Sequence, residues 1–459
     1  MQIQQAVPNF IIDIGKTFEN AGFEIYLVGG CVRNLLMNLP ITDWDLTTNA
    51  TPEEILKLFP DAFYDNQFGT VGIPVEHDNQ KNVIEATTFR TEHGYSDKRR
   101  PDKVLWGKTI EEDLTRRDFT VNAIALRFAQ GKPSFDIIDP HNGKEDIEKK
   151  IIKAVGDPNE RFKEDALRLM RAIRIATTLS FIIEGKTWQA IVNDAKLLEH
   201  ISKERVRDEL LKILASDFPY EGIMLLKNAG LLQYILPQLL EGIGVSQERP
   251  GRHHTTDVFT HNVLSLKFTP SKDPIVRLAA LLHDVGKPKV AKTDQEGLVI
   301  FHNHEIVGAG IAKDIADRLR LSKKQKHKIV TLIRWHMFTI DEHITDAAVR
   351  RFIRRIGVEN VQDMMDLRIG DRLGGGTQTA ESWRLKLFKK RVEEQLQPAP
   401  FSINDLVIDG NDIMKELKLK PGPKIGEILQ KLFEEVDEDL EKNNKEYLIK
   451  RVGEIAKFD

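Results

Sequence analysis

The chain is nearly devoid of cysteine: Cys31 is the single one in 459 residues. One thiol cannot close an internal disulfide, so a reducing, cytoplasmic location is expected. Cys31 abuts a glycine pair, and its expected role is that of a small buried hydrophobe, not a nucleophile. Long apolar runs are also missing. None reaches the length of a bilayer span, and the opening Met-Gln-Ile-Gln-Gln carries no charged segment ahead of an apolar block, so no membrane partner is expected. An excess of charge of one sign is absent too. The formal net charge is −3, which excludes a global attraction to nucleic acid. Internal repeats and low-complexity linkers are lacking as well.

What is present describes a globular protein. Hydrophobic residues make up 41% and charged residues 30%, and 459 residues suffice for about two to four domains with separate cores. Positive charge is local, in Lys98-Arg99-Arg100, Lys323-Lys324-Gln-Lys326, Arg350-Arg351 with Arg354-Arg355, and Arg384 through Arg391. Each run alone reads as a solvated face; together, on a chain that handles nucleotides, they fit an extended polyanion.

Periodicity divides the chain in two. Residues 1–22 have helical spacing, and short β-rich runs follow at Glu24–Val28, Thr70–Glu76, Val83–Thr88, Ala123–Phe128 and Phe135–Ile138. A helix is expected over Pro52–Phe59, with Thr51 as cap and Pro52 in the first turn. From about Asp157 strand signals nearly vanish. Helices are expected over Phe162–Leu179, Lys203–Leu214, Val276–His283, Ile306–Leu319, Lys323–His336 and Lys424–Asn443. The fold class expected is α+β, with a small sheet and its helices at the head and a mostly helical remainder.

Chemistry concentrates first in Tyr26-Leu-Val-Gly29-Gly30-Cys-Val-Arg33 and Thr42-Asp43-Trp-Asp45-Leu46. On a strand, residues i and i+2 share a face, which sets the two carboxylates about 6–7 Å apart. They repel unless a cation intervenes, and a hard divalent ion such as Mg²⁺ takes a few carboxylates plus substrate phosphates. The glycines allow close backbone approach, and Arg33 adds a positive fork. An isolated Asp-x-Asp also fits a solvated turn; the accompanying motifs favour a metal-dependent nucleotidyl-transfer site. Glu85, in Val83-Ile-Glu85-Ala, is a third carboxylate candidate. Burial within an apolar strand would be costly, and either a metal or a salt bridge to Arg90 or Arg117 would offset it.

Two further stretches suit nucleotide recognition. Arg116-Arg117-Asp118-Phe-Thr120-Val-Asn122 gathers phosphate- and hydroxyl-binding groups ahead of a strand; a capped helix start is the alternative. Glu164-Asp165-Ala-Leu-Arg168-Leu-Met-Arg171 places Asp165 and Arg168 three apart on a helix. A surface ion pair is the plain reading. Alternatively, an acceptor beside donors complements the amine and ring nitrogen of cytosine or adenine and rejects the reversed order of uracil and guanine.

Taken in order, LVGG…DxD, RRDFTxNA, Asp139-Pro140…Gly143…Asp146, EDALRLxRAIR and Ile201-Ser-Lys-Glu204-Arg205 through Glu209, then Gly230–Pro237, resemble a class II tRNA nucleotidyltransferase, the CCA-adding branch of the polymerase β-like nucleotidyltransferases. The resemblance covers about half the chain. It implies a polymerase β-like head followed by mostly all-α neck, body, HD and tail regions, with template-independent addition of C, C and A to tRNA from CTP and ATP. By that resemblance Asp43 and Asp45 hold Mg²⁺, with Glu85 a catalytic candidate beside them. Gly29, Gly30 and Arg33 lie at the triphosphate, Arg117, Asp118 and Asn122 at the sugar, and Glu164, Asp165, Arg168 and Arg171 around the base. Asn34 departs from the family's usual aspartate. The charged, weakly periodic segment Glu92–Glu112, with Tyr95, Lys98–Pro101 and Trp106, corresponds to a flexible loop shortened in CC-adding members and full length here.

The second half carries His261, His283-Asp284 followed by Val-Gly286-Lys287, and Asp371, a pattern that resembles an HD-domain metal site, with His304 and His336 as extensions. Imidazole with carboxylate suits a transition metal such as Ni²⁺, Mn²⁺ or Fe. Related HD domains hydrolyse phosphomono- or phosphodiesters, and others have lost activity. Lys420-Pro-Gly422-Pro-Lys424 reads as a turn into a helix, at a position resembling the family's tRNA-gripping tail. The expected domains are a head at 1–156, a neck and body at 157–250, an HD domain at 251–376 and a tail at 377–459, in a monomer. The alternatives are an A-adding or poly(A)-adding relative, an HD phosphohydrolase with an RNA-binding head, and a non-catalytic RNA-binding module.

Overall fold

The computed structural model describes residues 7–66, 69–77, 80–93, 103–128, 135–247, 256–295, 297–338, 341–396 and 402–458. They form two compact units, residues 1–240 with 318–321 and residues 241–317 with 322–459.

The first unit opens with the helix Asn9–Asn20, which buries Ile11, Ile14 and Phe18. Among the described residues nine strands lie between Ile25 and Ile138: β1 (Ile25–Val28), β2 (Asp45–Thr48), β3 (Phe63–Asn66), β4 (Thr70–His77), β5 (Gln80–Thr88), β6 (Arg90–His93), β7 (Lys103–Trp106), β8 (Ala125–Phe128) and β9 (Phe135–Ile138). Seven of them make one mixed sheet in the order β3-β4-β5-β2-β1-β8-β9. β1 lies near its centre, antiparallel to both β2 and β8, while β2 runs parallel to β5. All four residues of β1 are buried, as a central strand of a covered sheet requires. The helix Pro52–Leu58 starts as expected: Thr51 and Glu54 form a reciprocal capping box and Pro52 fills the first turn.

Part of Glu92–Glu112 is more regular than its weak periodicity indicated. β6 and β7 pair antiparallel, from Arg90 opposite Trp106 to His93 opposite Lys103. Tyr95 and the basic run Lys98–Pro101 lie outside the described residues.

The expected continuous helix over Phe162–Leu179 is broken. Pro158–Glu164 and Leu167–Leu179 are separate helices, and Asp165 between them is extended at φ −141°. Its carboxylate accepts the Leu167 amide at 3.1 Å, which rewards an aspartate at a helix start more than inside a helix. Helices Lys203–Ala215 and Pro219–Asn228 pack alongside, with Ile213, Leu214, Ile223 and Leu226 buried.

The second unit is almost wholly helical. Val258–Phe268 lies against Val361–Gly374, and the contact needs glycine: a Cβ on Gly370 would stand 2.2 Å from Thr269 Oγ1, and one on Gly374 2.4 Å from Ser265 Oγ. Pro274–Leu282 buries eight of its nine residues. The last helices, Gly410–Leu417, Pro423–Glu438 and Lys445–Phe458, close over a core of their own that includes Ile413, Leu432, Val436, Leu448 and Val452. Two arginines of the run Arg350–Arg355 are not a solvated face. Arg350 and Arg354, on the helix Asp346–Ile356, bind Asp437 at 2.9 and 2.5 Å, and Asp437 is 1% exposed. No helix among the described residues is long and apolar enough to cross a membrane.

Candidate active site and metal cluster

In the head the sheet sets the carboxylates and the glycine turn sets the space. Only Asp45 begins β2; Asp43 lies in the irregular segment before it, exposed, so the expected strand geometry for the pair holds at one residue. Burial pushes the Asp45 carboxyl up, Arg117 draws it back, and the negative charge of Asp43 raises it again. A cation between the two carboxylates would offset the repulsion that Asp43 exerts on Asp45. Glu85 stands directly opposite Asp45 across the parallel β2–β5 register. It is exposed, which removes the burial cost on which the expectation rested, since water can solvate its charge.

Gly29 turns at φ 77°, a left-handed conformation that a side chain resists. A Cβ there would stand 3.2 Å from an Arg117 Nη and 3.4 Å from Asp45 Oδ2. The glycine, the guanidinium and the carboxylate thus converge. Arg33 is nearby, with Nη2 3.7 Å from the Cβ position of Gly30. Its fork donates to Asn34 Oδ1 at 2.8 and 3.1 Å and to Asn122 Oδ1 at 2.7 Å. Among the described residues Arg33 has no carboxylate in salt-bridge range, and burial with the nearby Arg174 charge pulls it down to about 10. Asn34, the departure from the family pattern, also donates to the Pro40 carbonyl, which aspartate could not do. Cys31 is buried, its thiol pushed up to about 11 by desolvation, as suits a small hydrophobe.

A continuous polar network ties this turn to the helices behind it. Arg116 and Arg117 share the fully buried Asp113 at 2.6 and 2.9 Å. Asp118 accepts from Asn122 at 3.2 Å and pairs with Arg171 at 2.6 Å; although burial pushes its carboxyl up, the Arg171 and Arg168 charges hold it below the usual range. Gly143 packs where a Cβ would meet the Thr120 carbonyl, and Thr120 donates to Asp146 at 2.6 Å, so the Asp139–Asp146 segment braces the loop from outside.

The pair expected to read the base is arranged differently. The Asp165 carboxylate does not meet the Arg168 guanidinium; it is forked by Arg205 at 2.7 and 3.2 Å. Arg168 instead donates to Glu164 at 2.5 Å and to the carbonyls of Arg161 and Arg116 at 3.0 and 3.1 Å. The break at Asp165 turns its side chain away from the helix face that an unbroken spacing assumes. Asp113 and Arg205 were the residues the motif reading missed as partners. Arg205 lies in the Ile201–Arg205 element, but no local spacing signals its pairing with Asp165 forty residues away; Glu209, four residues on, binds Arg174 at 2.6 Å instead.

In the second unit, helix ends deliver a different cluster. His261 comes from Val258–Phe268, His283 and Asp284 follow Pro274–Leu282, His304 starts His304–Arg318, His336 follows Lys323–Trp335, and Asp371 sits in Val361–Gly374. A Cβ on Gly286 would stand 2.2 Å from the His304 carbonyl, so glycine lets the His-Asp turn abut that helix. The Nδ1–H groups of His283, His304 and His336 donate to the carbonyls of Ala280, Phe301 and Ile333 at 2.8, 2.8 and 2.7 Å. A carbonyl only accepts, so each Nδ1 carries the proton and each Nε2 presents a lone pair inward. Burial opposes charge on His283 while the Asp284 and Asp371 carboxylates favour a positive charge there, which either a proton or a metal ion on Nε2 would supply; burial and the neighbouring His283 pull His336 down to about 3. This donor set fits a transition metal, whereas the head offers oxygen alone.

A polymerase β-like head on a small mixed sheet, joined in sequence to helical regions and a histidine–aspartate cluster, defines the class as a metal-dependent nucleotidyltransferase with an HD domain. Comparisons with known proteins agree. A model of the poly A polymerase head domain matches residues 25–153, one of a probable RNA and SrmB-binding site of polymerase A matches 180–242, and an HD domain model matches 261–382. The CCA-adding enzyme of Limosilactobacillus reuteri is 33% identical over 96% of this chain and 95% of its own length. The A-adding tRNA nucleotidyltransferase of Deinococcus radiodurans is 35% identical over 89% of this chain and 90% of its own. The crystal structure of the Bacillus stearothermophilus CCA-adding enzyme in complex with CTP superposes with a TM-score of 0.72 at 26% identity, covering 98% of this chain and 97% of that one. The chain belongs to the class II tRNA nucleotidyltransferases, the CCA-adding enzyme family.

Proposed function

We propose that the protein adds C, C and A in turn to the 3′ end of tRNA, taking CTP and ATP and releasing pyrophosphate. The observation that carries this reading is the convergence of Gly29, Asp45 and Arg117 beside Arg33, a half-buried guanidinium faced, among the described residues, by amide oxygens rather than a carboxylate. Such a fork is prepared for an anion the size of a triphosphate. Asp43 and Asp45 would hold Mg²⁺, which when bound lowers the barrier to in-line attack by the tRNA hydroxyl and to departure of pyrophosphate. Gly29 and Gly30 give the phosphates backbone access. Arg33 and Arg117 neutralise them, and Asn122 with Asp118 orients the sugar. Glu85, opposite Asp45, adds negative potential from the next strand.

Base choice is assigned to Asp165 and Arg168. Arg205 fixes the Asp165 carboxylate, which keeps acceptor capacity for an exocyclic amine. Glu164 fixes Arg168, and Arg171 holds Asp118 in register. The division of the chain follows from these roles: a catalytic head at 1–156, a base-reading neck and body at 157–250, an HD domain at 251–376 and a tRNA-binding tail at 377–459. The HD residues His261, His283, Asp284 and Asp371 are assigned to a separate centre for a transition metal that hydrolyses a phosphomonoester or a 2′,3′-cyclic phosphate.

The test uses tRNA lacking its last three nucleotides, with each labelled NTP alone and CTP with ATP together. Two cytidines from CTP alone and completion with both nucleotides is the expected result. The A-adding relative favours one other reading, and the same assay separates it: addition of A to tRNA ending in CC, with no C added to shorter tRNA, would replace the proposal.

A further inference from the structure

We propose that Phe63 is a stacking platform for an unpaired base of the RNA just behind its reacting 3′ end, and so positions the RNA for nucleotide addition. The inference rests on the proposed activity and adds a residue to its RNA side. It starts from the register of the sheet. Asp45 stands opposite Glu85 across β2 and β5, Glu85 opposite Gly72 across β5 and β4, and Gly72 opposite Phe63 across β4 and β3. Residues paired across adjacent strands share a face, so one row leads from the carboxylate assigned to Mg²⁺ to the ring of Phe63.

The two faces of this part of the sheet differ. Val71, Ile73, Ile84 and Ala86 are buried on one side, whereas Val83 and Glu85, two apart on β5, are exposed on the other. The row therefore runs along the open face. Gly72 leaves it shallow: a Cβ there would stand 2.7 Å from Phe63 Cζ and 2.9 Å from both Phe63 Cε2 and Val83 Cγ1. The ring thus reaches over the glycine beside Val83, and it stays 46% exposed. A ring over a strand glycine repairs the sheet whatever else it does. Its place in the row gives it a further use.

The occupant follows from distance and charge. Strands are spaced about 4.8 Å apart, so Phe63 lies three spacings, about 14 Å, from Asp45. Stacked nucleotides rise about 3.4 Å each, which puts the ring beyond the terminal nucleotide and among the next few upstream. The exposed carboxylate of Glu85 stands between them and repels phosphate, so a base rather than the backbone meets this surface. Stacking on an aromatic ring tolerates any base, which suits an end that changes as it grows.

The test uses tRNA ending in CC, which accepts A whether the enzyme adds C, C and A or A alone. It carries 5-iodocytidine at the second, third or fourth nucleotide from the 3′ end and is irradiated in complex with the full chain. A crosslink to Phe63 from one of these positions, located by peptide mass, is expected. Phe63→Leu should lose the crosslink and raise KM for the tRNA roughly tenfold, with kcat and KM for ATP within about twofold. Phe63→Tyr should restore both the crosslink and the KM. If Phe63→Leu does not fold, the parent crosslink decides alone. An active parent with no crosslink at Phe63, or an active Phe63→Leu with the parental KM for tRNA, would overturn the platform and leave nucleotide addition standing. A parent that adds no nucleotide to any tRNA end would overturn the activity itself, and this inference with it.

Discussion

The two candidate centres are built on opposite plans. In the head, Asp43 is exposed, Asp45 half-buried, and the surrounding arginines are steadied by amides and a buried aspartate. The cluster of the second unit is enclosed: His261, His283, His304, His336 and Asp284 are all at most 6% exposed, and backbone carbonyls orient three of the rings. An open, all-oxygen site suits an ion that arrives with its substrate and leaves with the product. A closed nitrogen-rich site suits an ion that stays. Retention of metal, more than metal identity, is where the two should differ.

The most severe break of the comparison is Asp45→Ala. It should lower incorporation of both C and A on the order of 10³-fold or more while tRNA affinity and HD metal content stay near the parent's, as read by single-turnover assays and metal analysis. Incorporation close to normal would refute the head assignment. The reciprocal change, His283→Ala with Asp284→Ala, should abolish metal binding at the enclosed site and the proposed phosphate-ester hydrolysis but leave nucleotide addition within a few-fold. A folded double variant that no longer adds nucleotides would mean the centres are not independent.

Arg168→Ala should relax rejection of UTP and GTP by about 1–3 kcal/mol, roughly 5- to 150-fold, because the mismatched edge then leaves no buried donor unpaired. Unchanged selectivity would reduce Arg168 to a brace for Glu164. The smallest effect expected is in acid. The Asp118 carboxyl is held low in the fold by Arg171 and Arg168, so its contribution is complete above the unfolded value near 3.9 and fades as pH falls through the folded one. Thermal unfolding should therefore show a loss on the order of 1–2 kcal/mol below pH about 4 that Asp118→Asn lacks. Identical acid profiles for the two chains would contradict this.

Much of this was legible in the sequence where spacing alone carries information. The strands β1, β4, β5, β8 and β9 and the Thr51–Pro52 helix start follow from local pattern, and the gathering of His261, His283, Asp284 and Asp371 follows from the resemblance to an HD domain. Partner choice was less legible. Asp165 and Arg168 have ideal helical spacing, yet the chain kinks at Asp165 because its side chain caps the following helix, and a helix forty residues on supplies Arg205. Arg350 and Arg354 looked like a polyanion surface because their counter-charge, Asp437, lies far along the chain. Long-range pairing of this kind leaves no periodic trace.

That last pairing limits how the protein can be cut. Asp437 satisfies two guanidiniums from another helix, and it comes from a segment whose apolar interior would otherwise be self-sufficient. Ending the chain at about residue 420 would strand Arg350, 7% exposed, beside Gln395 with no anion to meet it. The C-terminal helices therefore behave as a keystone for their unit: dispensable by their own packing, indispensable to what they lock.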